Sequence, residues 1–230
     1  MILGTICCRG GSKGVLGKNI RPLKGLPLMV YTIHTARKSK YIDDLLVSSD
    51  SNEILNIAKE NDIENIIVRP QELATDTSSK WPVFIHAVEE YERLSGEKVT
   101  YIVDMDVTVP LKTADDIDKA IELALQSPEV DVVITGYEPE RNPYFNMMEI
   151  KESGLAEIVK VASPPIVRRQ DAPKVFSLTP AAYVIKKETL YNYQHWSEAK
   201  CMISEMPRER AVDIDTELDF KLIEFLLNEK

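Results

Sequence analysis

Apolar and polar positions along the 230-residue chain follow two rhythms. Short apolar runs bounded by turn residues predict buried strands, and stretches with apolar residues every three to four positions predict amphipathic helices. The first run, ILGTICC, predicts a strand, followed by a glycine-rich loop and a helix over 28–40. DDLLVSSD then predicts a strand, SNEILNIAKEN a helix with Ser51 as N-cap, and ENIIVRP a third strand. After a polar loop come a helix over 81–94 and a strand, VTYIVDMD, that ends in carboxylates. Thr113 followed by Asp116 is a capping-box variant ahead of the helix DIDKAIELALQ, and VDVVITGY is a further buried strand. Such alternation predicts an α/β fold of three layers, a mostly parallel sheet covered by helices on both faces.

The rhythm lapses over about 142–180, where Pro143, Pro164, Pro165, Pro173 and Pro180 cluster and YFNMMEI and AEIVKV read as hairpin strands. This stretch predicts an inserted segment within a single domain covering 1–230. Regular elements then resume: AAYVIKK as a strand, ETLYNY as a short helix, CMISEM as a strand and DTELDFKLIEFLLNE as a closing amphipathic helix.

Composition narrows the class. With 44% hydrophobic residues the chain can bury one core of good size, and it holds no apolar run near the ~18 residues of a membrane span. Its N-terminus lacks the basic region and cleavage site of a signal peptide, and Cys7, Cys8 and Cys201 make an odd set without metal-ligand spacing, so a reducing cytoplasm is expected. The net charge of −9 argues against nucleic acid or anionic membrane as a general partner. Yet residues 1–42 carry no Asp or Glu and have Arg9, Lys13, Lys18, Arg21, Lys24, Arg37, Lys38 and Lys40, leaving about −17 on the rest. A local positive site in an acidic protein predicts a small polyanion as ligand.

The loop Arg9-Gly10-Gly11-Ser12-Lys13-Gly14-Val15-Leu16-Gly17-Lys18-Asn19 lies between a strand and a helix, the setting in which α/β proteins hold phosphate. A Walker A loop ending at Gly17-Lys18 would need glycine at Ser12 and Ser or Thr at Asn19, and the dinucleotide fingerprint also needs glycine at Ser12. Arg9, Lys13 and Lys18 together suit a triphosphate better than a pyrophosphate held by backbone alone.

The run RGGSKGVLGKNIRPLKGLPL resembles the signature of the CMP-sialic acid synthetases, the acylneuraminate cytidylyltransferases. ELATDTSS at 72–79, TVPLK at 108–112, RQDAP at 169–173 and DIDTELD at 213–219 look like the later motifs of that family, in order. Asp104-Met105-Asp106 and Asn142-Pro143-Tyr144-Phe145 look more like the bacterial enzymes that activate legionaminic acid. The resemblance implies a sheet of the nucleotide-sugar transferase (glycosyltransferase A-like) type, with the 142–180 segment serving dimerisation and helping to complete the sugar pocket of a homodimer. It also implies a reaction: the anomeric hydroxyl of a nine-carbon 2-keto sugar acid attacks the α-phosphorus of CTP and pyrophosphate departs.

Charge then builds on phosphoryl oxygens and leaving group, so cations and positioning carry the catalysis. By family position Arg9 and Lys18 meet the triphosphate, with Gly11, Ser12, Lys13, Asn19 and Ser79 as further nucleotide contacts. Asp213 and Asp215 flank one residue and project together on an extended segment; Asp215 could also cap the last helix, but family position makes both of them ligands of Mg²⁺, for which Mn²⁺ can substitute. Arg169 is the expected partner of the sugar carboxylate, with Phe145 and Tyr183 against its acyl groups. Two departures bear on sugar choice. Asp106 stands where the sialic acid pattern commonly has glutamine, so it is expected to contact the sugar, join the metal or activate the hydroxyl. Thr179 stands where the pattern has asparagine. Two other readings are a glycosyltransferase of the A-type fold using Asp104-Met105-Asp106 as its metal motif, and a non-catalytic sugar-nucleotide sensor.

Overall fold

The structure, a computed structural model, describes residues 1–11 and 14–228. The N-terminal half comprises β1 (Ile2–Cys7), the small hairpin β2 (Pro22–Leu23) and β3 (Leu26–Pro27), α1 (Leu28–Ala36), β4 (Asp44–Ser49), α2 (Asn52–Glu60), β5 (Asn65–Val68) and α3 (Lys80–Ser95). There follow β6 (Tyr101–Asp104), α4 (Ala114–Gln126), β7 (Val132–Tyr137), the hairpin β8 (Met148–Ile150) and β9 (Ala156–Ile158), β10 (Ser177–Lys186), α5 (Thr189–Asn192), β11 (Cys201–Glu205) and α6 (Glu217–Asn228). Seven strands form the main sheet in the order β11-β7-β10-β6-β1-β4-β5. All run parallel except β10, which lies antiparallel between β6 and β7.

Helices cover both faces, as expected of strands that read as continuous apolar runs. On one face α1, α2 and α6 pack Leu28, Ile33, Ile54 and Phe220 over Ile6 and Val47, and α4 packs Ile117 and Ile121 over Val103 and Val133. On the other, α3 sets Trp81, Phe84 and Val88 over Leu3, Leu46 and Ile102. Each fully buried aliphatic or aromatic side chain contributes roughly 1.5–3 kcal/mol of transfer free energy. The Ser51 cap and the Thr113–Asp116 capping box are both present.

Three elements differ from expectation. Helix α1 stops at Ala36, because residues 37–40 offer no apolar face to bury and Asp118 of α4 draws the chain away, accepting from Ser39 Oγ at 2.5 Å and from the Lys40 N–H at 3.2 Å. Strand β10 starts at Ser177, well before the AAYVIKK run, and carries Pro180 through a register shift between Leu178 and Tyr183. A bulge is where a strand tolerates proline. In the 142–180 segment, β8 and β9 are three residues each; Met148 and Ile150 on β8, and Val161 and Val167 beyond β9, are exposed at 59%, 79%, 83% and 79%. Among the described residues no helix is long and apolar enough to cross a membrane.

Candidate active site

From β1 the chain first builds the sheet outward through β4 and β5, then returns to lay β6 on the opposite side of β1. The crevice at the carboxyl ends of β1 and β6 is therefore the switch point where open α/β sheets receive ligands. A cavity of about 360 Å³ opens there, lined from the loop after β1 by Arg9, Gly11, Gly14, Lys18 and Asn19, and from other elements by Arg69, Ser79, Lys80, Asp106, Thr108 and Asp215. Ser12 and Lys13 lie outside the described residues.

The loop is held by its own polar groups. The Asn19 amide donates to the Arg9 carbonyl at 2.9 Å, and the Gly10 N–H donates to Asp50 Oδ1 at 2.9 Å. Gly17 takes the left-handed φ of +60° as the loop enters the helical turn at Lys18–Ile20. Gly14 admits no side chain, because a Cβ there would lie 2.1 Å from the Asp215 carbonyl oxygen. Arg9 Nη1 pairs with Asp76 Oδ1 at 2.7 Å. Lys18 donates to the Ile214 carbonyl and lies 3.6 Å from Asp215 Oδ1, which ties the loop to the acidic segment near the C-terminus.

That segment is fixed from several sides. Ile214 is fully buried in the core, so Asp213 and Asp215 face away from it. The Ile214 N–H donates to the Thr108 carbonyl at 2.9 Å, and Thr179 Oγ1 donates to the Ala211 carbonyl at 3.1 Å. Asp215 does not cap α6: Asp219 Oδ2 accepts from the Thr216 N–H at 2.8 Å and Thr216 Oγ1 accepts from the Asp219 N–H at 3.3 Å, which leaves the Asp215 side chain 77% exposed. Burial, reinforced by Asp106 and Asp215, pushes the Asp213 carboxyl above its usual range. Its Oδ1 is buried without a hydrogen-bond partner among the described residues. No group of three His, Cys, Asp or Glu among the described residues converges to hold an ion. A raised carboxyl with an orphaned oxygen beside a second, exposed carboxylate fits Mg²⁺, a hard cation that takes one or two carboxylates and completes its shell with water and phosphate.

Sequence reasoning missed Lys80, the first residue of α3. Its Nζ donates to Asp104 Oδ2 at 3.1 Å and to Asp106 Oδ2 at 2.7 Å. Burial works against the ammonium, but the two carboxylates outweigh it and raise its pKa well above the usual lysine range. Burial likewise works against the Asp106 carboxylate, yet Lys80 and the Thr108 N–H hold it down to about 2. With Oδ1 accepting from Thr108 and Oδ2 from Lys80, Asp106 is engaged by protein on both oxygens, and a carboxylate of so low a pKa is a weak base. Asp104 is fully buried and also accepts from Thr5 Oγ1. Lys112 underpins the loop after β6, donating to Thr32 Oγ1 and to the Asp106 and Val109 carbonyls; burial pulls its pKa down to about 7, against Asp106, Asp104 and Asp213. Arg69 was also missed: buried at the end of β5, it donates to the Ser48 carbonyl at 2.8 Å and lines the cavity beside Cys7 and Cys8. The signal for both residues was a lone cation at the junction of strand or helix with loop.

The sugar-side expectations divide. Tyr183 stands opposite Asp104 in the β6–β10 register. With Ser79, Lys80, Trp81, Phe84, His195 and Trp196 it lines a second cavity of about 210 Å³ adjoining the first. Ser79 stands at the N-cap of α3 but makes no capping bond with its hydroxyl. Phe145 and Arg169 line neither cavity; Arg169 donates to the Pro139 carbonyl at 3.1 Å and borders a separate hollow of about 230 Å³. Thr179 is 1% exposed and serves the strand rather than a ligand. Cys8 is a packing residue, its thiol pushed up to about 12 by burial.

A basic glycine loop and the acidic segment around Asp215 meeting at a switch-point cavity mark the class as nucleotide-handling α/β enzymes. The cytidylyltransferase family matches residues 3–229, nearly the whole chain. The chain belongs to this cytidylyltransferase family, of the type represented by CMP-sialic acid synthetases, and is a nucleotidyltransferase. It is 37% identical over 229 residues to the post-translational flagellin modification protein B of Campylobacter coli, covering 100% of this chain and 96% of that one. It is 35% identical to CMP-N,N'-diacetyllegionaminic acid synthase of Campylobacter jejuni, with the same coverage. It is also 30% identical to an N-acylneuraminate cytidylyltransferase of Streptococcus agalactiae, matching 94% of this chain but only 50% of that longer protein. The fold is that of CMP:2-keto-3-deoxy-manno-octonic acid synthetase solved with CTP, at a TM-score of 0.72 and 12% identity over 99% of this chain and 98% of the other.

Proposed function

We propose that the protein transfers CMP from CTP to the anomeric hydroxyl of a nine-carbon 2-keto sugar acid of the legionaminic or sialic type, releasing pyrophosphate. The observation that carries this reading is that Arg9, Lys18 and Asp215 line one switch-point cavity, with Lys18 3.6 Å from Asp215, in a chain of this family. The C. jejuni and S. agalactiae relatives, named for legionaminic and acylneuraminic substrates, support the choice of acid. Arg9 and Lys18 neutralise the triphosphate and the departing pyrophosphate, Ser79 and Asn19 contact the nucleotide, and Tyr183 borders the acceptor. Asp213 and Asp215 would hold Mg²⁺ or Mn²⁺, which would supply neutralisation of the phosphate charge there. Lys80, seated between Asp104 and Asp106, disfavours the glycosyltransferase reading, which needs those carboxylates for a metal. CTP chemistry and the unpaired thiols of Cys7, Cys8 and Cys201 suit the cytoplasm.

The acting unit in this reading is a homodimer. The apolar surface of the β8–β9 hairpin supports it, and Phe145 and Arg169, which line neither the glycine-loop cavity nor the aromatic one of their own chain, become contributions to the partner's sugar pocket. The test is pyrophosphate release with CTP and a panel of legionaminic, pseudaminic and N-acetylneuraminic acids, with and without chelator. Turnover with one or more acids, abolished by chelator and restored by Mg²⁺, is expected; no release with any acid would reject the assignment, and undiminished release in chelator would reject the metal.

A further inference from the structure

We infer that Lys80 is a catalytic residue that contacts the reacting α-phosphoryl group, held there by Asp104 and Asp106; this rests on the cytidylyltransfer reading above. The argument begins with placement. Ser79 and Lys80 are the residues common to the linings of the two adjoining cavities, the polar one beside the glycine loop and the aromatic one containing Trp81, Tyr183 and Trp196. An attack on phosphorus requires acceptor oxygen and phosphoryl group to approach within about 3–3.5 Å. If nucleotide fills the first cavity and acceptor the second, that approach occurs at their shared boundary, where Lys80 is the one Lys or Arg among the described residues lining both.

Its chemistry suits that position. An ammonium has three N–H donors. Two are directed to Asp104 Oδ2 and Asp106 Oδ2, and the side chain remains 42% exposed, so the third is available to a ligand. The carboxylates fix the ammonium before substrate arrives and keep it charged. A lysine steadied by a carboxylate against a transferring phosphoryl group is a recurring device of phosphoryl-transfer enzymes. Arg9 and Lys18, on the loop, are left to the β- and γ-phosphates and the leaving group. Asp106 then acts through Lys80 as a positioning residue, which accounts for a carboxylate at the strand end that neither serves as a strong base nor stands free for a metal.

The experiment compares wild type, Lys80→Met and Lys80→Arg in steady-state pyrophosphate release, using CTP and the two diastereomers of its α-thio analogue. Lys80→Met is expected to lower kcat by ~100-fold or more, with KM for CTP and for the acid within about threefold. The wild type is expected to be slowed by sulfur at one of the two α-positions, and Lys80→Met to lose that discrimination. Should Lys80→Met not fold, because buried Asp104 is left unpaired, Lys80→Arg keeps the ion pairs while moving the charge and is expected to lose ~10-fold in kcat and the same discrimination. Wild-type kcat in a folded variant, an unchanged thio effect, or a loss confined to KM for the acid would overturn the assignment of Lys80 and leave the enzyme's activity standing. A wild type without turnover on any acid would overturn the function, and the role of Lys80 with it.

Discussion

Arg9 and Lys18 are both cations of the same loop, yet their surroundings assign them different duties. Arg9 makes an exposed pair with Asp76, an interaction worth at most about 1 kcal/mol that a triphosphate can displace. Lys18 is 13% exposed and bound to the Ile214 carbonyl, so it also braces the acidic segment. Replacing either by alanine is expected to lower kcat/KM by ~100-fold or more. Lys18→Ala should in addition raise the Mg²⁺ concentration giving half-maximal rate, whereas Arg9→Ala should leave it near the wild-type value; a Mg²⁺ titration of each variant distinguishes them. Thr179 shows what a residue-level reading leaves out. A hydroxyl in place of an amide looked like a change in sugar recognition, but the bulge of β10 turns it inward to the Ala211 carbonyl.

At the scale of elements, the segment 210–215 is only as well placed as the elements it leans on. Asp116, 3% exposed in the first turn of α4, receives Arg210 through two bonds of 2.6 and 2.9 Å while also closing the capping box with Thr113. Removing one partner of such a pair costs about 3–5 kcal/mol, because the other is left uncompensated. Asp116→Asn is accordingly expected to lower Tm by several degrees and to raise the Mg²⁺ requirement several-fold, read by calorimetry and by the same titration. The strands and helices themselves were legible in the sequence, because two-sided burial and amphipathic spacing are local patterns; the glycine loop and the paired acids were legible for the same reason. What escaped was relational. Nothing in the residues around Lys80 announces that α3 begins beside the carboxyl end of β6, and nothing near Pro180 distinguishes a bulged strand from a break. Capping stayed open as a second reading of Asp215 because the pair that does cap, Thr216 and Asp219, lies just beyond it.

For the molecule as a whole, the exposed apolar side chains of the 142–180 segment are the main argument for assembly. Ile150 and Val161, at 79% and 83% exposure, both belong to this segment, and a two-fold axis would let the same apolar surface serve both subunits. Ile150→Glu with Val161→Glu is expected to shift the species seen by light scattering from dimer to monomer and to raise KM for the acid more than KM for CTP. A monomeric wild type of full specific activity would remove the partner from the site. The close approach of Gly14 to Asp215 has a temporal meaning as well. The cavity is closed between the loop after β1 and the segment before α6, so during synthesis the phosphate loop exists long before the acidic residue that faces Gly14. Synthesis through Asp215 is therefore a precondition of a complete site, and a cut ahead of that segment would take Ile214, Phe220 and Ile223 out of the core together with the acidic wall of the cavity.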